Sequence, residues 1–363
     1  MRLEGPSSYT CPTTGAGTLT RTTRPRMQVQ RWRHDRTEFS WAAVWGGVEL
    51  PYAGIKTFLN GDQLDVNELT EYDVGVLGVP YDGAVSNRPG ARYGPQAIRR
   101  ASGWWAYRSG YKGGLTNMRT ERQVDFSALS VADCGDVPVF PMDRERTAES
   151  IEAHVAAVAE RAFPVVLDGD HYCTAPSFRG FAQGSNYESV GLVQIDAHTD
   201  TSTGSPVYGD AFHGSSTALI ADSPYTDYTN ISQVGIRGYE GPGFFEFAKK
   251  QGLNLYTMRD VEDRGIESVV DDAIAAVAAE TDAVYVTVDI DAVDPSIAPG
   301  TGTPEPGGLS ATEALTVMET LGAHDAVAGA DLMEVAPGYD DSDGTQRLAA
   351  ILLVTLLERR FAE

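Results

Sequence analysis

Three short acidic words constrain this chain more than anything else in it, because each stands directly behind an apolar run. Gly-Asp-His at 169–171 follows the run 164–167, Asp-Ala-His-Thr-Asp at 196–200 follows 190–195, and Asp-Ile-Asp at 289–291 follows 283–288. The runs are short and bounded by turn residues, so they read as buried strands. Carboxylates and imidazoles at the ends of such strands are costly to bury unless something compensates them. Two divalent cations would do so, with His171, Asp196, His198, Asp200, Asp289 and Asp291 as ligands. Side chains at i and i+2 of an extended segment point the same way, so 196, 198 and 200 are expected to form one row and 289 and 291 another. That arrangement suits ions about 3.5 Å apart, bridged by a shared carboxylate and a hydroxide. An isolated Asp-x-Asp is usually a solvated turn, but three such words after three apolar runs argue against that reading.

Words spread from 169 to 291 must meet in one folded unit. Eight strand-like runs are expected, at 72–79, 129–134, 164–168, 190–195, 231–236, 253–258, 283–289 and 326–333. Between them, the spacing of Ile151, Val155, Val158 and Ala162 predicts a helix over 145–162, and similar patterns predict helices over 266–279 and 346–361. This alternation implies an α/β fold, a three-layer α/β/α sandwich around a parallel, roughly eight-stranded central sheet. Ligands of such sheets gather at the carboxyl ends of strands, where all the acidic words fall. The Gly- and Pro-rich stretch 295–308 is expected to be a rigid loop beside the metals.

Residues 1–26 are rich in Thr, Gly, Ser and Arg without an apolar core, so they are expected to be a disordered leader or a mis-called extension, with Met27 as the true start. Residues 27–70 are read as an N-terminal arm on the domain or on a neighbouring subunit, and 71–363 as a single catalytic domain. The formal charge of −23 excludes nucleic acid and anionic membrane surfaces as expected partners. Lysine is confined to Lys56, Lys112, Lys249 and Lys250. Cys11, Cys134 and Cys173 are far apart and form no Cys-x-x-Cys, so a cytoplasmic, reducing location is expected. Cys173 is read as a small buried filler rather than a thiolate ligand. No run is long enough to span a membrane.

Four Asp and two His make a hard site that favours two Mn²⁺ over Zn²⁺, with Ni²⁺ among the alternatives. Such residue types suit a phosphoesterase as well as an enzyme attacking a guanidinium carbon. The acidic words contain no Arg or Lys to clamp a phosphate, which weighs against the former.

Longer words narrow the choice. They are Asn-Arg-Pro-Gly-Ala-Arg-Tyr-Gly-Pro-Gln-Ala-Ile-Arg-Arg at 87–100, Leu-Asp-Gly-Asp-His at 167–171, Asp-Ala-His-Thr-Asp-Thr at 196–201 and His-Gly at 213–214. Val-Asp-Ile-Asp-Ala-Val-Asp-Pro-Ser-Ile-Ala-Pro-Gly-Thr-Gly-Thr-Pro-Glu-Pro-Gly-Gly at 288–308 and Asp-Leu-Met-Glu-Val-Ala-Pro at 331–337 complete the set. From about Pro51 to the C-terminus the chain resembles the ureohydrolase (arginase/agmatinase) family, its agmatinase-like branch more than true arginases.

The resemblance implies an arginase-like fold and a binuclear-metal amidinohydrolase that releases urea and an amine from a small guanidino substrate. It places the six candidate ligands around two metals and makes Asp200 the proton carrier to the leaving amine. It makes His213 a proton shuttle at the pocket mouth, and Glu334 the bidentate partner of the substrate guanidinium. It also implies a homo-oligomer, a trimer or hexamer. Agmatine, giving putrescine, is the first expected substrate. Guanidinobutyrate, guanidinopropionate and guanidine are alternatives, and so is a non-catalytic partner subunit of such an enzyme. Asp170 and Asp294 are read as positioning residues, Arg88 and Arg92 as structural clamps. The chain departs from the family's pattern at Asp168, Tyr172 and Ser202. Ser202 stands where arginases hold the substrate carboxylate with asparagine, which argues against arginine. A Tyr172 ring in the pocket would disfavour long substrates; in the core, it would leave room for the tail of agmatine.

Overall fold

The apolar runs build the centre of the molecule. In the computed structural model, which describes residues 50–126 and 128–362, one nine-stranded sheet holds all eight expected strands. Its members are β1 (Asp62–Gln63), β2 (Val74–Gly78), β5 (Val131–Asp136), β6 (Phe163–Leu167), β7 (Val190–Ile195), β8 (Ile231–Ile236), β9 (Asn254–Thr257), β10 (Ala283–Asp289) and β11 (Val327–Met333). Their order is β1-β5-β2-β6-β11-β10-β7-β8-β9, every pair parallel. β3 (Leu115–Thr116) and β4 (Gln123–Val124) form a separate antiparallel hairpin. The ninth strand, β1, is two exposed polar residues at the sheet edge, too short and too polar to signal itself. It lies in the segment read as an arm. Phe58 and Leu59, just before it, are buried, so this part of the segment packs on the domain. The expected leader and residues 27–49 of the arm lie outside the described residues.

Period-two alternation sorts the strand side chains onto two faces. Val165, Val193, Ile195, Val284, Val286 and Val288 join one core, while Val166, Leu192 and Tyr285 join the other. On the first face lie α1 (Gly94–Lys112), α7 (Ile266–Ala278), α8 (Ala311–Gly322) and α9 (Gly344–Phe361). On the second lie α2 (Arg144–Ala159), α3 (Thr174–Ser185), α4 (Ser216–Ala221) and α5 (Phe244–Gln251). α6 (Met258–Arg264) adds Met258 and Val261 to the first. The three expected helices are α2, α7 and α9.

α3 was hidden because its sequence holds Pro176, Gly180 and Gly184, poor helix interior residues. Packing explains them. A Cβ at Gly180 would stand 2.4 Å from Glu152 O, and one at Gly184 2.1 Å from Ala156 O, both on α2. Glycine there lets two backbones approach, and burial of Phe178 and Phe181 offsets the weak propensity.

Candidate metal centre

β6, β11, β10 and β7 are consecutive in the sheet and parallel, so their carboxyl ends line up. Each delivers site residues: His171 after β6, Glu334 after β11, Asp289 and Asp291 at β10, and Asp196, His198 and Asp200 after β7. The segments turn rather than run on extended, which corrects the expected i, i+2 rows. Asp196 Oδ1 accepts from His198 N at 2.7 Å, and Asp289 Oδ1 accepts from Asp291 N at 2.8 Å. Each aspartate caps its own turn, and the turn brings the next ligand round.

Two clusters result, His171 with Asp196 and Asp289, and His198 with Asp196 and Asp291. Asp196 belongs to both. Its Oδ2 is 3.1 Å from His171 Nδ1 and its Oδ1 is 3.7 Å from His198 Nδ1. Asp200 Oδ2 and Asp289 Oδ2 also approach His171 Nδ1, at 2.9 and 3.3 Å. Asp291 Oδ2 is 3.1 Å from His198 Nδ1. All six sequence-predicted ligands are therefore brought together.

The electrostatics test whether cations fit. Three carboxylates crowd one imidazole nitrogen that can donate a single hydrogen bond, and both ring nitrogens of His171 are buried without a hydrogen-bond partner. Burial, then Asp291 and Asp196, pushes Asp289 well above the usual carboxyl range. Burial and Asp200 take Asp196 to about 6. Burial opposes charge on His198, but Asp291 and the other carboxylates raise it to about 11. Burial works against ionised Asp291, and His198 overrides it, holding Asp291 at about 2. Such a concentration of anions around two imidazoles suits divalent cations.

His213 and Glu334 adjoin the cluster. His213 Nδ1 is 3.0 Å from Glu334 Oε1, which also accepts from His171 N at 3.0 Å. His213 is buried, at 8% exposure, and lines the cleft. Glu334 is also buried; its Oε1 is engaged twice and its Oε2 has no hydrogen-bond partner. Asp200 and Glu334 both adopt left-handed backbone, with φ of 48° and 61°, which costs a non-glycine residue about 1–2 kcal/mol.

Asp170 accepts from Ala84 N at 2.7 Å and Tyr172 N at 3.2 Å, fixing the neighbouring turns. Asp294 caps the 295–308 loop through Ser296 N and Gly307 N, and Arg88 clamps Thr301 O at 2.8 Å. Arg92 pairs with Asp82. Cys173 is buried and outside both clusters. Asp168 does not line the cleft: it is fully buried beside Asp331, with Ser177 Oγ at 3.2 Å, and burial and Asp331 push it well above its usual range.

Sequence reading missed the residues that hold the ligands. Gln194 Nε2 donates to Asp196 Oδ2 at 2.7 Å, Thr303 Oγ1 to Asp291 Oδ2 at 3.1 Å, and Ser216 Oγ to Asp200 Oδ2 at 3.2 Å. The signal for Gln194 was a polar residue inside a buried apolar run. Ser216 and Thr303 gave none.

Tyr172 points into the core, with Arg144 5.8 Å from its ring, and does not line the cleft. Tyr172→Ser is therefore expected to cost roughly 2–4 kcal/mol of stability and to leave the ratio of activities on long and short substrates unchanged. Urea denaturation alongside paired assays checks both.

The cleft beside the cluster holds about 640 Å³ and is lined by His198, Asp200, Ser202, His213, Glu240 and Phe244, among others. A profile of the arginase family matches residues 72–358, which takes in every one of these groups. The chain belongs to the arginase family. Within it, the proclavaminate amidinohydrolase of Streptomyces clavuligerus is 36% identical over 291 residues, 79% of this chain and 87% of the relative. The solved structure of that enzyme superposes with a TM-score of 0.76 at 32% identity, covering 86% of this chain and 99% of the other. A guanidinopropionase of Pseudomonas aeruginosa is 33% identical over 319 residues, 85% of this chain and 93% of the relative. An agmatinase of Neisseria meningitidis is 36% identical over 283 residues, 78% and 85% of the two chains. The matched region thus contains every strand end that carries a candidate ligand.

Proposed function

We propose that this arginase-family chain is an amidinohydrolase that splits a C–N bond of a small guanidino compound to release urea and an amine. The observation that carries this is the pair of ligand clusters sharing Asp196, with His213 and Glu334 alongside. His171, Asp196, His198, Asp200, Asp289 and Asp291 are the residues that would hold two Mn²⁺, or Ni²⁺. Two divalent cations held there would lower the pKa of water toward neutrality and so make it nucleophilic enough for a resonance-stabilised guanidinium carbon.

The chain's own groups orient the substrate and move protons. Glu334 Oε2 offers an acceptor to a guanidinium N–H, a charge-assisted contact. Asp200, steadied by Ser216 Oγ, is placed to take the water's proton and hand it to the leaving nitrogen. His213 carries protons between this centre and solvent. His213→Ala is expected to lower kcat roughly 10²–10⁴-fold; unchanged rates across pH 7–10 would remove it from the mechanism.

Agmatine is the first substrate. Among its described lining residues the cleft has no Lys or Arg to meet a carboxylate, and Glu240 stands at its rim to meet an ammonium. The relative named guanidinopropionase favours a second reading, hydrolysis of a guanidino acid. Urea release from agmatine, guanidinobutyrate, guanidinopropionate, guanidine and arginine, with Mn²⁺ and Ni²⁺ each supplied, tests the proposal. We expect agmatine first and arginine last; no urea from any compound in either metal overturns it.

A further inference from the structure

We infer that Ser86 sets how His213 holds and passes its proton, an inference that rests on the hydrolytic reading above. Ser86 Oγ lies 2.6 Å from His213 Nε2, and Ser86 N donates to the same nitrogen at 3.1 Å. The opposite ring nitrogen, Nδ1, is 3.0 Å from Glu334 Oε1. An ionised carboxylate only accepts, so Nδ1 carries a hydrogen; a backbone N–H only donates, so Nε2 presents its lone pair. When the ring is neutral, the two neighbours together select one tautomer.

The pairing is built rather than incidental. His213 N donates to Ala84 O at 3.0 Å, so the loop before Ser86 and the His213 turn are joined by their backbones. Tyr208 Oη donates to Ser86 O at 3.2 Å, and Asn87 Nδ2 to Gly302 O at 3.0 Å. Ser86 and His213 both line the cleft.

When Nε2 takes a proton, Ser86 N–H loses its acceptor and faces another N–H. Only the Ser86 hydroxyl can rotate and accept. The proton then has one defined exit. Nε2–H passes its proton to Ser86 Oγ while the Oγ–H proton moves to cleft water. Ser86 ends as the same neutral hydroxyl, His213 returns to the neutral imidazole, and the acceptor gains one proton. Ser86 thus has the connectivity of a serine–histidine–carboxylate triad, but it relays a proton and forms no bond to carbon. It is a positioning residue, acting through His213.

The test uses the full-length, metal-loaded enzyme with Ser86→Ala and Ser86→Thr. We expect Ser86→Ala to lower kcat by about 10-fold or more with KM moved by less than about twofold, at unchanged metal content. Ser86→Thr, which keeps the hydroxyl, should recover most of the loss. Independently of turnover, ¹⁵N NMR of histidine-labelled protein, recorded above about pH 9 where His213 is neutral, should show His213 protonated at Nδ1 and hydrogen-bonded at Nε2. Its signals are assigned by their loss in His213→Ala, and the Nε2 signal should move in Ser86→Ala. A Ser86→Ala enzyme with the parent kcat, a Ser86→Thr enzyme as slow as Ser86→Ala, or a neutral His213 protonated at Nε2 overturns the inference. If the parent enzyme releases urea from no guanidino compound, the hydrolytic reading falls, and the NMR result alone decides the Ser86–His213 link.

Discussion

Asp291→Asn is expected to lower kcat/KM by at least about 10²-fold, a loss of about 3 kcal/mol of transition-state stabilisation. The substitution keeps volume and removes one charge at the point where the structure concentrates donors. Asp291 Oδ1 accepts from Ala197 N at 3.3 Å, and Oδ2 from Thr303 Oγ1 at 3.1 Å, with His198 Nδ1 at 3.1 Å. His198 is the group that holds Asp291 ionised against burial. With asparagine there, one side of the shared Asp196 cluster loses its counter-charge and its ligand together. Steady-state kinetics after loading, with metal analysis, read the effect. Parent-like turnover at full metal content would remove Asp291 from the ligand set.

The second large effect is on stability, and it depends on pH. In metal-free protein Asp170 sits at about 7, Asp331 and Asp196 at about 6, each raised chiefly by burial, and Asp168 and Asp289 are raised as well. A carboxyl raised in the folded state contributes stability that is complete below its unfolded value and lost as pH rises through the folded value. His213, at about 9, and His198, at about 11, are opposed by burial but raised by carboxylates. Their contribution is complete below the unfolded imidazole value and is likewise lost on the way up. Asp291, Asp294 and Asp340, each at about 2, run the other way, and their window lies below pH 4. Chelated protein should therefore melt progressively lower from pH 5 to 8. Cations bind deprotonated ligands, so loading should reverse the trend. The Tm gap between loaded and chelated protein should widen to on the order of 10 °C by pH 8. Differential scanning fluorimetry at stepped pH measures it, and a gap that narrows with pH would contradict the cluster as a cation site.

The legible parts of this molecule were those whose signal is local. Strands β6, β7 and β10 announce themselves because a strand buried on both faces must be apolar throughout, and a charged word at its end then stands out. Helices α2, α7 and α9 show because their apolar residues recur at helical spacing. α3 does not, since its glycines answer to a neighbour's backbone that no local pattern reveals. The candidate ligands were likewise readable one by one, but not the turns that converge them, nor the place of Asp196 in both clusters. Glu334 illustrates the limit most sharply. Only the family resemblance pointed to it, and its contacts with His213 and His171 N depend on segments 121 and 163 residues away that no local pattern reveals.

The left-handed backbone at Asp200 and Glu334 has a consequence for how such a chain can change over generations. Glycine adopts that conformation without steric penalty, so Asp200→Gly relieves local strain while deleting a group that the proposed chemistry uses. Breeding for heat resistance alone, with no assay for turnover, would find that replacement attractive and return a sturdier protein with an idle cleft. Ancestors or designs that carry glycine at position 200 should on that ground be suspected of having surrendered hydrolysis, however well the rest of the sheet is kept.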